Sequence, residues 1–265
     1  MRRLTLVARL SAALLSAAWL TAISVDAASA QDTPSARLTL GLGASVGPNY
    51  FGSDDYDVGP WGTVRFDYVR LPGGLTWGSA QAIGVREGFG LRGSARYVGS
   101  RKGSDNPELR GLDTVDAALE LGFGVGYEAR DWRAFTDVRY GFGGHDSFVF
   151  EAGADAIFHP MDSLIVNVGP RLDFGGGPFM RTYFGVSEQE SVASGLPEYR
   201  PSGGLTAVGF EVGAHYAFTD AWGIEGIATY DRLVDDAADS PITALGSEDQ
   251  YGFRLGITRS ISLGF

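Results

Sequence analysis

The last fifteen residues read Tyr251-Gly-Phe-Arg-Leu-Gly-Ile-Thr-Arg-Ser-Ile-Ser-Leu-Gly-Phe265. Counted in twos from the end, one face carries Phe265, Leu263, Ile261, Arg259, Ile257, Leu255, Phe253 and Tyr251. The other carries Gly264, Ser262, Ser260, Thr258, Gly256, Arg254 and Gly252. Alternation at period two marks a β-strand with one apolar face and one small or polar face. Strands of soluble sheets run about 5–6 residues, whereas a tilted strand crossing a bilayer needs about 9–11. The stretch also stops on an aromatic residue, as the closing strand of bacterial outer-membrane barrels typically does. Arg259 interrupts the apolar face, which a bulge or a snorkelling side chain would accommodate. The stretch reads as a barrel-closing strand; a long strand of a soluble sandwich is the alternative.

The other end of the chain points to export. Arg2, Arg3 and Arg9 precede an apolar run from Leu10 to Ile23, and Ala28-Ser29-Ala30 fits the small-x-small cleavage pattern. Residues 1–30 are therefore expected to be a signal helix cleaved before Gln31, leaving 31–265 as a single domain. The leader carries three Arg and one Asp, so removing its +2 takes the net charge from −11 to −13. Such acidity argues against nucleic acid as a partner. The absence of cysteine excludes disulfides and thiolate chemistry. No later segment has the roughly 18 uninterrupted apolar residues of a membrane helix. An exported chain without such helices spans a membrane only as a closed barrel, whose surroundings would be the lipid bilayer and its lipopolysaccharide.

The terminal pattern recurs along the chain. Clear alternation runs over 38–46, 60–68, 89–97, 115–127, 132–142, 148–158, 164–174, 208–218 and 222–230, with a fainter segment from Leu75 to Arg86. With the final strand this makes eleven candidates. An antiparallel ring with both termini on one side needs an even count, so twelve strands are expected, with ten as the alternative. Charges of both signs share one face: Arg65, Arg92, Arg96, Arg133, Arg139 and Arg171 with Asp67, Asp116, Glu120, Asp137 and Asp155. In a membrane barrel they would cross-link the lumen; in a soluble barrel they would meet water. Tyr127, Trp132, Phe158, Phe218 and Trp222 at strand ends suit membrane girdles. The turns at 129–131, 160–163 and 219–221 are short and expected to be periplasmic. Those at 99–113, 143–147, 175–204 and 234–249 are mostly longer and expected outside.

Few residues suggest chemistry. His145-Asp146-Ser147 could pair imidazole with hydroxyl as an esterase acting on lipid A would, but a Gly-Gly-His-Asp turn is the plainer explanation. His215 lies on the polar face and suits an internal hydrogen bond, and His159 precedes Pro160 in a turn. The acidic turn Asp235-Asp236-Ala-Ala-Asp239 lacks EF-hand spacing. No residue is assigned to catalysis, and none to a cofactor or metal. The loop 175–204 is longer than the roughly 12–15 residues usual for an unstructured connection. Ser187 and Glu190 form a capping-box pattern, with Gly195 as a stop. Phe179, Met180, Tyr183, Phe184, Leu196 and Tyr199 are expected to fold over the barrel mouth. Arg181 and Arg200 are expected to pair with the acidic turn.

Four stretches then carry a resemblance: Tyr50-Phe-Gly-Ser-Asp-Asp-Tyr56, Leu109-Arg-Gly-Leu-Asp113, Tyr183-Phe-Gly-Val186 with Ala193-Ser-Gly-Leu-Pro197, and Asp236-Ala-Ala-Asp-Ser-Pro-Ile242. In this order they resemble the MltA-interacting protein (MipA/OmpV) family of outer-membrane proteins. Asp146 departs from that family's Gly-His-Gly pattern. The resemblance implies a non-enzymatic barrel; the family's namesake bridges a lytic transglycosylase and a peptidoglycan synthase. Other members are described as porin-like, so a small-solute channel stays open beside the scaffold.

Overall fold

The computed structural model describes residues 36–70, 76–78 and 88–264. The leader, its cleavage site, residues 79–87 and Phe265 lie outside them. Eleven strands run β1 (Ala36–Pro48), β2 (Tyr56–Arg70), β3 (Thr76–Gly78), β4 (Gly88–Val98), β5 (Ala118–Glu128), β6 (Trp132–Gly143), β7 (Phe148–Met161), β8 (Leu164–Gly175), β9 (Gly204–Ala217), β10 (Trp222–Leu233) and β11 (Asp249–Leu263). Ten match the clear candidate stretches; of the fainter Leu75 to Arg86 segment only β3 falls among the described residues. Between them lie three short helices, α1 (Gly177–Phe184), α2 (Glu188–Ser194) and α3 (Asp235–Ala238).

Every neighbouring pair is antiparallel, in the order β3-β2-β1-β11-β10-β9-β8-β7-β6-β5-β4. The first and last long strands meet directly, Ala36 opposite Leu263 and Val46 opposite Phe253. This is the barrel-closing role expected of the final stretch. At the other side β4 packs against β2 and β3. With eleven strands in alternation, the edge strands β3 and β4 run the same way. An antiparallel ring requires an even number; the twelfth strand expected before residue 90 is not among the described residues, and 79–87 lie outside them.

The orientation of the faces decides between a soluble and a membrane barrel. Glu120, Asp155 and Arg171 are 0%, 3% and 5% exposed, while Val58, Phe89 and Phe123 are 72%, 81% and 63% exposed. Charges point in and hydrocarbon points out, which only a lipid surround makes favourable. The eleven residues of β5 rise about 3.3 Å each. At a tilt near 45° they span about 25 Å, the height of an outer-membrane apolar band. Both ends of that band carry aromatics. Phe89, Tyr127 and Trp132 stack at 5.0 and 5.3 Å at the short-turn end. Tyr140 with Phe148 and Tyr230 with Tyr251 stack at 4.9 and 5.2 Å at the long-loop end.

Arg259 belongs to the first girdle. It sits opposite Trp222 without a break in register, and its guanidinium lies 5.1 Å from the indole centroid. The residue that interrupts the apolar face is thus a cation–π contact at the membrane rim, not a bulge. The lipid-facing surface predicts a depth-dependent cost. Phe123→Arg, at mid-strand, is expected to destabilise the folded barrel by about 2–4 kcal/mol, and Phe218→Arg, beside a short turn, by about 0–1 kcal/mol. Urea titration in lipid vesicles measures both; equal costs would overturn the placement of the bilayer.

Candidate functional site

Inside the barrel the register converts alternation into ion pairs. Arg96 stands opposite Glu120 and Arg133 opposite Asp155 on adjacent strands, so an inward charge on one strand meets its complement on the next. Toward the short turns, Arg65 bonds Asp67 at 3.2 Å and Glu225 at 3.1 Å. Thr39 donates to Asp67 and shares a 2.8 Å contact with Ser260. His215 meets the Thr258 hydroxyl at 3.0 Å, the internal role expected for it.

In the middle of the lumen, Arg171 bonds Asp155 at 2.8 Å and Glu211 at 2.7 Å, Arg133 bonds Asp155 at 2.6 Å, and Arg92 approaches Asp137 to 3.1 Å. The sequence pattern did not reveal what holds these cations together. Phe135 turns inward on the charged face, with the guanidinium carbons of Arg92, Arg171 and Arg133 at 3.9, 5.1 and 5.8 Å from its ring. Room for that ring comes from Gly153, where a Cβ would lie 2.5 Å from the Phe135 ring edge. An aromatic breaking a polar face was the available signal.

Nearest the lid, one carboxylate gathers three cationic or imidazole groups. Glu120 receives Arg96 through two bonds of 2.9 Å, Arg139 at 3.1 Å and His145 Nε2 at 3.2 Å. Arg139 also bonds Glu151 at 2.9 Å. Asp116, expected in this lumen, is instead exposed in the loop before β5. The loop closes back on Arg101 through the Val115 backbone, and β5 begins only at Ala118.

The long loops form a packed lid. Met180 and Phe184 of α1 are fully buried and Phe179 and Tyr183 are 3% exposed. Phe51, from the β1–β2 loop, contacts Phe179 and Tyr183 at 5.6 and 5.0 Å. Val115, Val149, Leu233 and Ala237 complete this cluster, while Tyr50, Leu109, Leu112, Val186 and Ile242 form a second. Leu196 and Tyr199 pack on the second, as the lid reading expects. Backbone bonds of 2.9 Å join Val186 and Tyr199 in both directions. Arg101 donates to the Tyr183 carbonyl at 2.7 Å and Ser240 to the Phe184 carbonyl at 2.7 Å. Burial, followed by the Glu120 charge, pushes the Tyr183 phenol up to about 12. Burial also lowers the Arg101 guanidinium.

The capping box forms as expected. The Ser187 hydroxyl accepts from the Glu190 backbone N–H, Glu190 accepts from the Ser187 N–H at 2.8 Å, and Gly195 ends α2 at φ 78°. Glu190 also accepts from the Asp113 N–H at 3.0 Å, tying α2 to the β4–β5 loop. Burial opposes its charge, but these backbone donors outweigh burial and hold the carboxyl below its usual range. A depressed carboxylate stabilises above its unfolded pKa, and that support is lost as pH falls through the folded value. Acidification below about pH 4.5 is thus expected to loosen α2 first. Ser187→Ala is expected to cost about 1 kcal/mol, both read as faster hydrogen exchange of residues 188–194.

Two expectations are corrected. Arg200 pairs with Glu198 at 3.0 Å and Arg181 is exposed, so neither reaches the acidic turn. Asp236 is held instead by the Ser202 N–H at 2.7 Å and, through its carbonyl, by the Tyr199 hydroxyl at 2.9 Å. The His145–Ser147 pair, the lesser reading of that turn, does not assemble. His145 spends Nε2 on Glu120, and its Nδ1 has no partner. Its ring stacks edge-on against Phe179 and Tyr183 at 5.1 and 5.6 Å, and the Ser147 hydroxyl turns to the Phe148 carbonyl at 3.4 Å. His145 is a strut between lumen and lid. His159 is exposed near the end of β7 rather than in the turn itself.

The family model described as "MltA-interacting protein MipA" matches residues 40–261, which takes in both the charged lumen and the lid. The chain belongs to this family. Curated MipA relatives align more narrowly: the MltA-interacting proteins of Escherichia coli (strain K12) and Shigella flexneri are each 42% identical over 60 residues, 23% of this chain and 24% of their own length. Among solved structures, an outer membrane channel from Pseudomonas putida F1 has a TM-score of 0.44 at 11% identity, covering 88% of this chain and all of that one. The outer membrane protein OprG from Pseudomonas aeruginosa has a TM-score of 0.31 at 10% identity, with 88% and 100% covered. Both scores are low, and the MipA chain is read as an outer-membrane β-barrel from its own strand pairing, its inverted faces and the family match.

Proposed function

We propose that this barrel is a non-enzymatic scaffold of the Gram-negative outer membrane, holding murein-remodelling enzymes there rather than passing solutes. The observation that carries the reading is the filled interior among the described residues: Arg65 on β2 reaches Glu225 on β10, Arg171 and Arg96 pair with Asp155 and Glu120 on neighbouring strands, and α1 with its buried aromatics covers the long-loop end. A pore wants mobile water where this chain places paired charge. The name of the MipA relatives supplies the class of partner, a lytic transglycosylase, and the namesake's bridging role supplies a peptidoglycan synthase as the second. Residues 1–30 are read as the export leader, removed near Ala30/Gln31, so that both barrel termini and the turns at 129–131, 162–163 and 218–221 face the periplasm, where such enzymes work.

Crosslinking of the tagged barrel in intact envelopes, followed by identification of co-purifying proteins, is expected to return murein-cleaving and murein-synthesising enzymes. Planar-bilayer recording of the refolded barrel is expected to be silent. Discrete conductance steps that disappear on unfolding, with no murein enzyme captured, would replace the scaffold with a small-solute channel. Unchanged lipid A mass spectra on deletion and overexpression would accord with the unassembled His145–Ser147 pair.

A further inference from the structure

Beneath the lid lies a cavity of about 370 Å³, within the roughly 300–1,000 Å³ range of small-molecule sites. Phe51, Phe179, Phe184 and Trp61 supply apolar wall, and Asp173, Asp231 and Arg254 line the same space. These three charges differ from the rest of the lumen. Glu120, Glu151, Asp155, Glu211 and Glu225 each hold an Arg at 3.1 Å or less. Asp173 comes no closer than 3.8 Å to Arg96, whose guanidinium is already bonded twice to Glu120. Asp231 has no hydrogen bond or ion pair among the described residues, and its carboxylate leans over Gly209, where a Cβ would lie 1.9 Å from Oδ1. Arg254 stands 3.8 Å from Glu211, which Arg171 already holds at 2.7 Å.

Opposite charges thus face one cavity without a direct ion pair between Asp231 and Arg254. Arg254 lies on β11 and Asp231 on β10, four register positions apart, since Asp231 opposes Gln250. The lining also contains Arg101, whose Nε is buried without a partner. Inside a barrel that elsewhere pairs its charges, these three stay open to the cavity, where a ligand can meet them. The spanning group must bring an ammonium to Asp231 and Asp173 and a carboxylate to Arg254. Its remainder must be apolar to lie against Phe51 and Trp61.

We propose that this cavity binds a small zwitterion with an apolar body, of the class of a free amino acid with a large apolar side chain. Such a ligand would sit inside the closed barrel without opening a path through it, so the site is independent of whether the scaffold reading holds.

Isothermal titration of the refolded full-length mature barrel in detergent tests it with three probes: L-phenylalanine, phenethylamine and 3-phenylpropionate. Phenylalanine is expected to bind saturably and at least about tenfold more tightly than either singly charged probe, the cost of about 1.4 kcal/mol for one lost charge contact. Asp231→Asn and Arg254→Gln are each expected to weaken phenylalanine at least about tenfold and to erase its preference over 3-phenylpropionate and phenethylamine respectively. Heat modifiability on gels confirms that each barrel is folded. No saturable binding of phenylalanine to the folded wild type would overturn the proposal. So would equal binding of the three probes, or indifference to both substitutions in folded variants. If a variant fails to fold, the selectivity of the wild type decides alone.

Discussion

Glu120→Ala is expected to destabilise the barrel by about 3–5 kcal/mol, the cost of removing one partner from a buried charge network. The carboxylate is wholly buried and is the common acceptor of Arg96, Arg139 and His145. Its loss leaves Arg96 with only the 3.8 Å contact to Asp173, and frees the imidazole that props the lid. Glu120→Gln, which keeps the acceptor oxygen but not the charge, should cost less. Urea titration of the barrel in lipid vesicles provides the measurement, with Arg130→Gln as the control, since the Arg130–Asp131 pair is about three-quarters exposed and such pairs are worth about 0–1 kcal/mol. Equal effects of Glu120→Ala and the control would mean that the lumen network contributes nothing to stability.

Phe184→Ala is expected to unlatch the lid while leaving the strands in place. Phe184 is fully exposed to neither water nor lipid and packs between Phe51 and Phe179 at 5.9 and 6.5 Å. Truncating a buried phenylalanine costs about 3–5 kcal/mol. Because the strand ladders make no use of this ring, the loss should fall on local opening of the loops. Tryptic cleavage after Arg181 should therefore accelerate roughly a hundred- to a thousandfold, with heat modifiability intact. Rapid cleavage of the unaltered barrel at that bond would mean that the lid is not packed at all.

Most of the barrel was legible because a strand exposes its environment in the simplest periodicity available: alternate residues meet lipid and lumen. Leu119, Leu121, Phe123 and Val125 against Glu120, Gly122 and Gly124 need no further context. Which face looked inward was not legible from periodicity, since a soluble barrel reverses it. Within the lid, α2 announced itself because its cap is chemical, Ser187 with Glu190. Helix α1 did not: Gly176 offers no side-chain cap, and the segment is rich in aromatic residues. It is a helix because Phe179, Met180, Tyr183 and Phe184 share a buried face, with Pro178 tolerated in the first turn. The long contacts of Asp173 and Arg254, and the lack of an ion pair at Asp231 among the described residues, were out of reach because they depend on what neighbours on other strands had already bonded.

The meeting of β1 with β11 has a consequence for how the molecule is made. Ala36 pairs with Leu263, so this ladder joins the two extremes of the chain. The hairpins β5–β6, β7–β8 and β9–β10 can zip locally across two- to four-residue turns. The closing ladder must wait until the end of β11 reaches β1. Up to that moment the chain is an open sheet with an unpaired edge and an apolar face, the species most prone to aggregate. High contact order makes this last pairing slow. Ring closure between β1 and β11 is therefore the step that leaves an apolar edge open longest.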